Sequence, residues 1–298
     1  MPEDVNWTSR GLDYDPPEID TTKPHPARVY DYLLGGKDNY PPDRELAEQM
    51  IELMPSVAVS SRQNRLFMQR LARYLAAEGI DQFLDIGTGI PTSPNLHEIV
   101  QRANPAARVV YLDNDPIVLA HAHALLTSSP QGRVSYIHAD MRDAKKVLAA
   151  PDLTGTLDLG RPVALSILST LHFVGDEDAY RLVREYTQAL APGSFFAVST
   201  ATGDFNPDTA GTVVSVLNQR IPSWWRNKAQ VTAFFDGLEL LEPGVIQPHH
   251  WRPDAETAGI SDGEVTVYCG VARKGQPSSG STAPTRASVA LDVRRRRI

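Results

Sequence analysis

The 298-residue chain has one cysteine, Cys269, so no disulfide can form within it. That fits a reducing compartment. Positive charge is also in short supply: 29 Lys and Arg stand against 36 Asp and Glu, for a net charge of −7. Surfaces that grip nucleic acid carry a basic excess, so this balance argues against DNA or RNA as a partner. No apolar run reaches the roughly 18 residues of a membrane helix. Met1–Tyr14 is polar and acidic, without the apolar core of a signal peptide. These absences predict a cytoplasmic protein with no membrane partner. Metal clusters are missing too. His249-His250-Trp251 has no clear ligand spacing, and His121 and His123 face different sides of a predicted helix, so no metal is expected.

The chain does have enough apolar material for a large core: 42% of residues are hydrophobic and 22% charged, an ordinary globular balance. Residues 1–17 read as a flexible arm. Helical periodicity then predicts helices over Pro24–Gly36, Pro42–Met54 and Ser60–Glu78, giving a helical cap over residues 18–79. From residue 80 to 274, short apolar strands alternate with helices. The strands are Gln82–Ile86, Arg108–Asp113, Val134–His138, Pro162–Leu168 and Ser194–Ser199, closed by Leu238–Pro243 and Glu264–Arg273. The intervening helices are Pro94–Arg102 (with Ser93 as N-cap), Pro116–Leu126, Ala144–Ala149 and Asp176–Leu190, with helical pieces at Thr209–Gln219 and Lys228–Phe235. Such alternation predicts a mostly parallel sheet covered on both faces. Residues 275–298, rich in Ser, Gly, Thr and Pro, read as a disordered tail.

The chemistry concentrates at the ends of the first three strands. Phe83–Thr92 is a strand that runs into Gly87-Thr88-Gly89 and then a predicted helix. The two glycines permit a sharp turn and close approach of a ligand, and a helix N-terminus favours an anion. The second strand ends in Asp113, where a carboxylate can accept both hydroxyl hydrogens of a ribose. Asp140 and Met141 follow the third strand, a carboxylate beside an apolar side chain, suited to the amino edge and face of an adenine. Two cofactors compete for such a crevice. A dinucleotide site wants a third glycine where Thr92 stands. Asp85 would also repel a pyrophosphate, yet would favour the ammonium of S-adenosylmethionine (SAM). The balance falls to SAM, with an NAD-dependent oxidoreductase as the alternative.

With these residues in view, the chain resembles the SAM-dependent methyltransferases, and more closely an actinobacterial family of S-adenosyl methyltransferases of largely unassigned substrate. The resemblance is carried by Ile19–Tyr40, Asn64-Arg65, the Asp85–Thr92 loop, Leu112–Pro116 and Leu171-His172-Phe173, within about residues 18–273. It implies a Rossmann-like α/β fold with a seven-stranded sheet, the last strand antiparallel, and N-terminal helices forming a lid. Pro91 stands where the superfamily often has a further glycine. The resemblance further implies that Gly87, Thr88 and Gly89 line the methionine part of SAM, that Asp113 holds the ribose, and that Asn114 flanks the adenine. Asp140 and Met141 would hold the adenine edge. Ser169, Thr170 and His172 would face the substrate, and Arg28 and Tyr32 would close over the SAM carboxylate from the lid.

The expected reaction is methyl transfer by in-line displacement, with His172 the first candidate for a general base and Asp31 or Tyr40 behind it. Where base-methylating enzymes carry Asn/Asp-Pro-Pro-aromatic, this chain reads Ser169-Thr170-Leu171-His172-Phe173. That absence, with the acidic charge, points to a small-molecule acceptor. A non-catalytic SAM-binding regulatory protein stays open, because the acceptor site is not legible in the sequence.

Overall fold

A computed structural model describes residues 19–118, 120 and 128–276. Expectations for the arm before residue 19, the tail beyond 276, most of the helix after Pro116, and His121 and His123 lie outside the described residues.

Three helices lead the chain. α1 (Pro26–Leu33) and α2 (Pro41–Leu53) each carry proline in the first turn, where no intrahelical N–H is needed. α3 (Ser56–Ala77) begins four residues earlier than its periodicity predicts. Pro55 divides the two helices. It cannot donate an N–H to prolong α2, but it fits the start of α3. α1, α2, the start of α3 and α8 (Pro207–Asn218) share an apolar cluster built on Val29, Leu46, Met50, Val57, Val213 and Leu217.

The sheet follows as β1 (Gln82–Ile86), β2 (Arg108–Asp113), β3 (Arg133–His138), β4 (Ala164–Leu168), β5 (Phe195–Ala201), β6 (Glu239–Leu240) and β7 (Val267–Arg273). Its order is β3-β2-β1-β4-β5-β7-β6. The five leading strands pair in parallel, and β7 runs antiparallel to both β5 and β6, as the sequence reading expects of the last strand. Alternation along each strand divides the core. Leu84, Ile86, Val110 and Leu112 pack on one face, with α7 (Asp176–Ala189). Phe83, Val109 and Tyr111 pack on the other, with α3 and α4 (Leu96–Ala103). The short helices α5 (Ala144–Leu148), α6 (Pro151–Thr154) and α9 (Lys228–Thr232) complete the frame.

Boundaries shift where side chains intervene. α4 starts at Leu96 with Asn95 as N-cap, not at Pro94 behind Ser93. The carbonyl of Pro94 is taken by the Arg65 guanidinium at 3.0 Å rather than by a helical N–H. The helix N-terminus is thereby carried away from the glycine loop. β6 keeps only two residues, because the chain turns back through Gly244 at positive φ. The expected start of β7 is shorter as well, since Asp262–Glu264 form a 3₁₀ turn. Among the described residues no helix is long and apolar enough to cross a membrane.

Candidate active site

The parallel strands all end on one side of the sheet, and there a cavity of about 430 Å³ opens between the strand ends and the cap. That size suits a small-molecule site. Asp85, Gly87, Thr88, Gly89, Asp113, Asn114, Asp140, Met141, Ser169 and His172 all line it. The sequence reading therefore brings ten of its candidates to one place.

The floor is the turn after β1. Gly87 and Gly89 have φ of +73° and +70°, which a side chain would strain. The N–H groups of Gly87 and Thr88 both donate to the Leu112 carbonyl, tying the turn to β2. Asp113, 6% exposed, accepts from the Gly89 N–H at 2.8 Å and the Asp115 N–H at 2.9 Å. Burial pushes its carboxyl up, against those two hydrogen bonds. Burial likewise raises the carboxyl of Asp85. Its two oxygens accept from Ser166 Oγ at 2.5 Å and Thr88 Oγ1 at 3.0 Å, so it braces the loop from below. Asp140 is held by Arg142, whose Nε and Nη2 lie 3.0 and 2.6 Å from Oδ2; this bond keeps its carboxyl below the usual range. Met141 is buried beside it. Ser169 sits at φ +50° and gives its N–H to the Ser199 carbonyl and hydroxyl. Non-glycine residues in that region often mark functional sites.

His172 lines the cavity but is a poor proton acceptor. Its Nδ1 receives the Ala201 N–H at 3.4 Å, and the ring lies 4.2 Å from that of Phe173. Burial, then the Arg226 guanidinium, lowers its pKa to about 3, leaving the ring neutral at physiological pH.

The two lid residues lie away from the cavity lining. Arg28 does not line the cavity. It is buried within the cap, with Nε 3.3 Å from Asp115 Oδ2 and 3.6 Å from Asp43 Oδ1, and Nη1 and Nη2 donating to the Asp20 and Lys23 carbonyls. Tyr32 points outward and donates to Glu48 Oε1 at 2.9 Å. The helix instead turns Pro26, Val29, Tyr30 and Leu33 to the cavity, the i, i+3, i+4, i+7 face. Asp31 and Tyr40 do not line it either.

Sequence reasoning missed Arg65 and Asn64 as site residues. Asn64 links Tyr30 Oη to Ser199 Oγ, at 3.0 and 2.6 Å. Arg65 reaches from α3 across the glycine loop, where Nη2 donates to the Thr92 and Pro94 carbonyls. Its Nε is buried without a partner, and Nη1 makes no hydrogen bond among the described residues. A cation with one edge unpaired, inside a cavity, is fitted to an anion.

Comparison with known sequences decides the kind of site this is. A sequence profile described as S-adenosyl methyltransferase matches residues 13–275. The chain belongs to the S-adenosyl methyltransferase family. It is similar to the solved structure of a DUF574 family protein from Streptomyces avermitilis, with 50% identity and a TM-score of 0.84, covering 86% of this chain and all of that one. It is also similar to a provisionally named methyltransferase from Thermobifida fusca, with 38% identity and a TM-score of 0.80, over 89% of this chain and all of that one. No curated protein matches the chain. The methyltransferase thus draws on SAM as its cofactor.

One grouping lies apart from this cavity. The fold brings Asp262 Oδ1 to 3.2 Å from His249 Nε2 and 2.6 Å from His250 Nε2. The histidine pair lacks ligand spacing in sequence because its third member stands on a different turn.

Proposed function

We propose that the protein methylates a small molecule, holding SAM across the ends of β1–β3 and the acceptor beneath the cap. The observation that carries this reading is Asp113, a buried carboxylate at the cavity floor fixed by two backbone N–H groups. Its remaining lone pairs are placed to accept the two ribose hydroxyls. Gly89 leaves open space above the loop for the methionine arm. The free edge of Arg65 pairs with the cofactor's carboxylate, a role first expected of Arg28 and Tyr32. Met141 offers an apolar face to the adenine, Asn114 flanks it, and Asp140 takes its amino edge while retaining Arg142. Asp85 supports Thr88 and supplies negative potential for the ammonium.

Bound SAM supplies a methyl group made electrophilic by its sulfonium. The chain's own contribution is alignment and exclusion of water: the cap covers the cavity and Ser169, Thr170 and His172 shape its wall. His172 acts as a neutral positioning residue, since a group with pKa about 3 gives little base catalysis at neutral pH. The cap (18–79) and the Rossmann-like domain (80–274) work as lid and platform. The net charge of −7 supports a small acceptor over nucleic acid, and the lone buried Cys269 supports a cytoplasmic setting.

The test is calorimetry with SAM, S-adenosylhomocysteine, methylthioadenosine and NAD. The sulfur nucleosides should bind and NAD should not. Arg65→Met should weaken S-adenosylhomocysteine by about 1.5–3 kcal/mol, the worth of a hydrogen bond to a charged group. It should leave methylthioadenosine, which has no carboxylate, unchanged. Equal losses for both ligands would refute the role given to Arg65, and NAD binding alone would refute the cofactor site.

A further inference from the structure

The cavity wall divides sharply by chemistry. Its charged side chains Arg65, Asp85, Asp113, Asp140 and Arg142 belong to α3 or to the ends of β1–β3, the half given above to the cofactor, and His25, which lines it from the head of α1, turns its Nδ1 to Asp115 at 2.9 Å. The opposite wall is Met50, Leu217, Ile221, Phe173, Trp224 and Trp225, without a charge among them. Met50, Leu217 and Ile221 are buried in the cap cluster, against which Phe173 and Trp225 pack. His172 adds no charge there, because it stays neutral.

The two tryptophans stand on a segment held by hydrogen bonds at both ends. The Ser223 N–H donates to Asn218 Oδ1 at 2.6 Å, and the Trp224 N–H to the His172 carbonyl at 2.7 Å. Arg226, fully buried, donates to the Leu171 and Val174 carbonyls, each at 2.7 Å, and pairs with Asp176 at 2.9 Å. Yet Trp224 is 41% exposed, the one large hydrophobic residue so exposed among those described. A rigid segment that presents an indole at a cavity rim serves as a preorganised stacking surface.

We infer that the methyl acceptor is a ring-bearing aromatic molecule without an anionic group that lies against Trp224 under the cap. A phosphate or sulfonate would meet no cation on that wall and would be buried unpaired. This inference rests on the cofactor reading above.

The test uses the full chain saturated with S-adenosylhomocysteine and titrated with naphthol, naphthalenesulfonate and uridine monophosphate. Naphthol should bind at least about tenfold more tightly than either anion, since the wall leaves a buried charge unpaired. Trp224→Ala should weaken naphthol about tenfold, the scale of a lost aromatic contact with its buried area, whereas Trp224→Phe should keep most of the affinity. Neither variant should change the affinity for S-adenosylhomocysteine. The inference is overturned if an anion binds as tightly as naphthol, if naphthol does not bind the loaded protein, or if Trp224→Ala binds it normally. Failure of S-adenosylhomocysteine itself to bind would instead strike the cofactor reading, and the inference would fall with it.

Discussion

Gly87 and Gly89 share nearly the same backbone, at φ +73° and +70°, yet alanine should act differently at each. A left-handed conformation costs a side-chain-bearing residue roughly 1–2 kcal/mol. At Gly89 that is the whole cost to the fold, because a Cβ there meets nothing within 4 Å. At Gly87 the new Cβ would run into Thr170, approaching Cγ2 to 2.6 Å and Cβ to 2.9 Å and meeting Oγ1 closer still. Thr170 follows β4 and holds the Leu168 carbonyl at 2.9 Å, so it cannot simply swing aside. Overpacking adds about 1–3 kcal/mol. Gly87→Ala should therefore destabilise by about 2–5 kcal/mol and Gly89→Ala by about 1–2 kcal/mol. Urea denaturation, with unchanged slope, measures both. Thr170→Ala in the Gly87→Ala background should recover part of the excess, as it removes Oγ1 and Cγ2. Binding should rank the other way per unit of stability lost: the Gly89 methyl enters the space given to the cofactor, so S-adenosylhomocysteine should bind at least about tenfold more weakly. Equal stabilities for the two variants would refute the packing argument. Full affinity in Gly89→Ala would refute the placement of the cofactor.

Asp113→Asn should cost S-adenosylhomocysteine about 1.5–3 kcal/mol of binding, because charge-assisted bonds to the ribose become neutral ones; unchanged calorimetric affinity in a folded variant would sink that role. His172 gives a prediction in pH. Its pKa is about 3 folded against 6.5 unexposed to such burial, so the unfolded chain takes up the proton first as pH falls. Stability from this residue is complete above pH 6.5 and is lost at about 1.4 kcal/mol per pH unit between there and 3. Compared with His172→Asn, the native protein should lose that extra increment on acidification, read as the difference between denaturation curves at pH 7 and 5. The pH–rate profile should show no limb near 6.5 from this residue, and one that vanishes in His172→Asn would refute its neutral role.

The gathering of the strand-end residues at one cavity was legible because its signals are local and periodic. Gly87, Gly89 and Asp113 sit at strand ends that the apolar runs define, and the fold closes Asp113 on Gly89 itself. The inward face of the cap was not legible because polarity was followed in place of periodicity. Arg28 and Tyr32 stand out in a dense polar block, yet a helix that buries Val29 and Leu33 must turn Tyr30 inward with them. Arg65 stood only in the Asn64-Arg65 pair that carries the family resemblance, with nothing in the sequence to mark it as a site residue; the carbonyls it meets, those of Thr92 and Pro94, lie nearly thirty residues further along the chain. The apolar acceptor wall is drawn from α2, α8 and the segment before Arg226, and no local pattern joins such distant stretches.

Arg28 lies away from the cavity lining, where it couples two parts of the molecule. Its Nε stands between Asp43 of α2 and Asp115, and Asp115 gives its backbone N–H to Asp113. His25, at the head of α1, reaches the same Asp115 oxygen at 2.9 Å. The cap is thus tied to the Asp113 corner and is not a separate flap on a hinge, so a change in the packing of α1 reaches the carboxylate at the cavity floor.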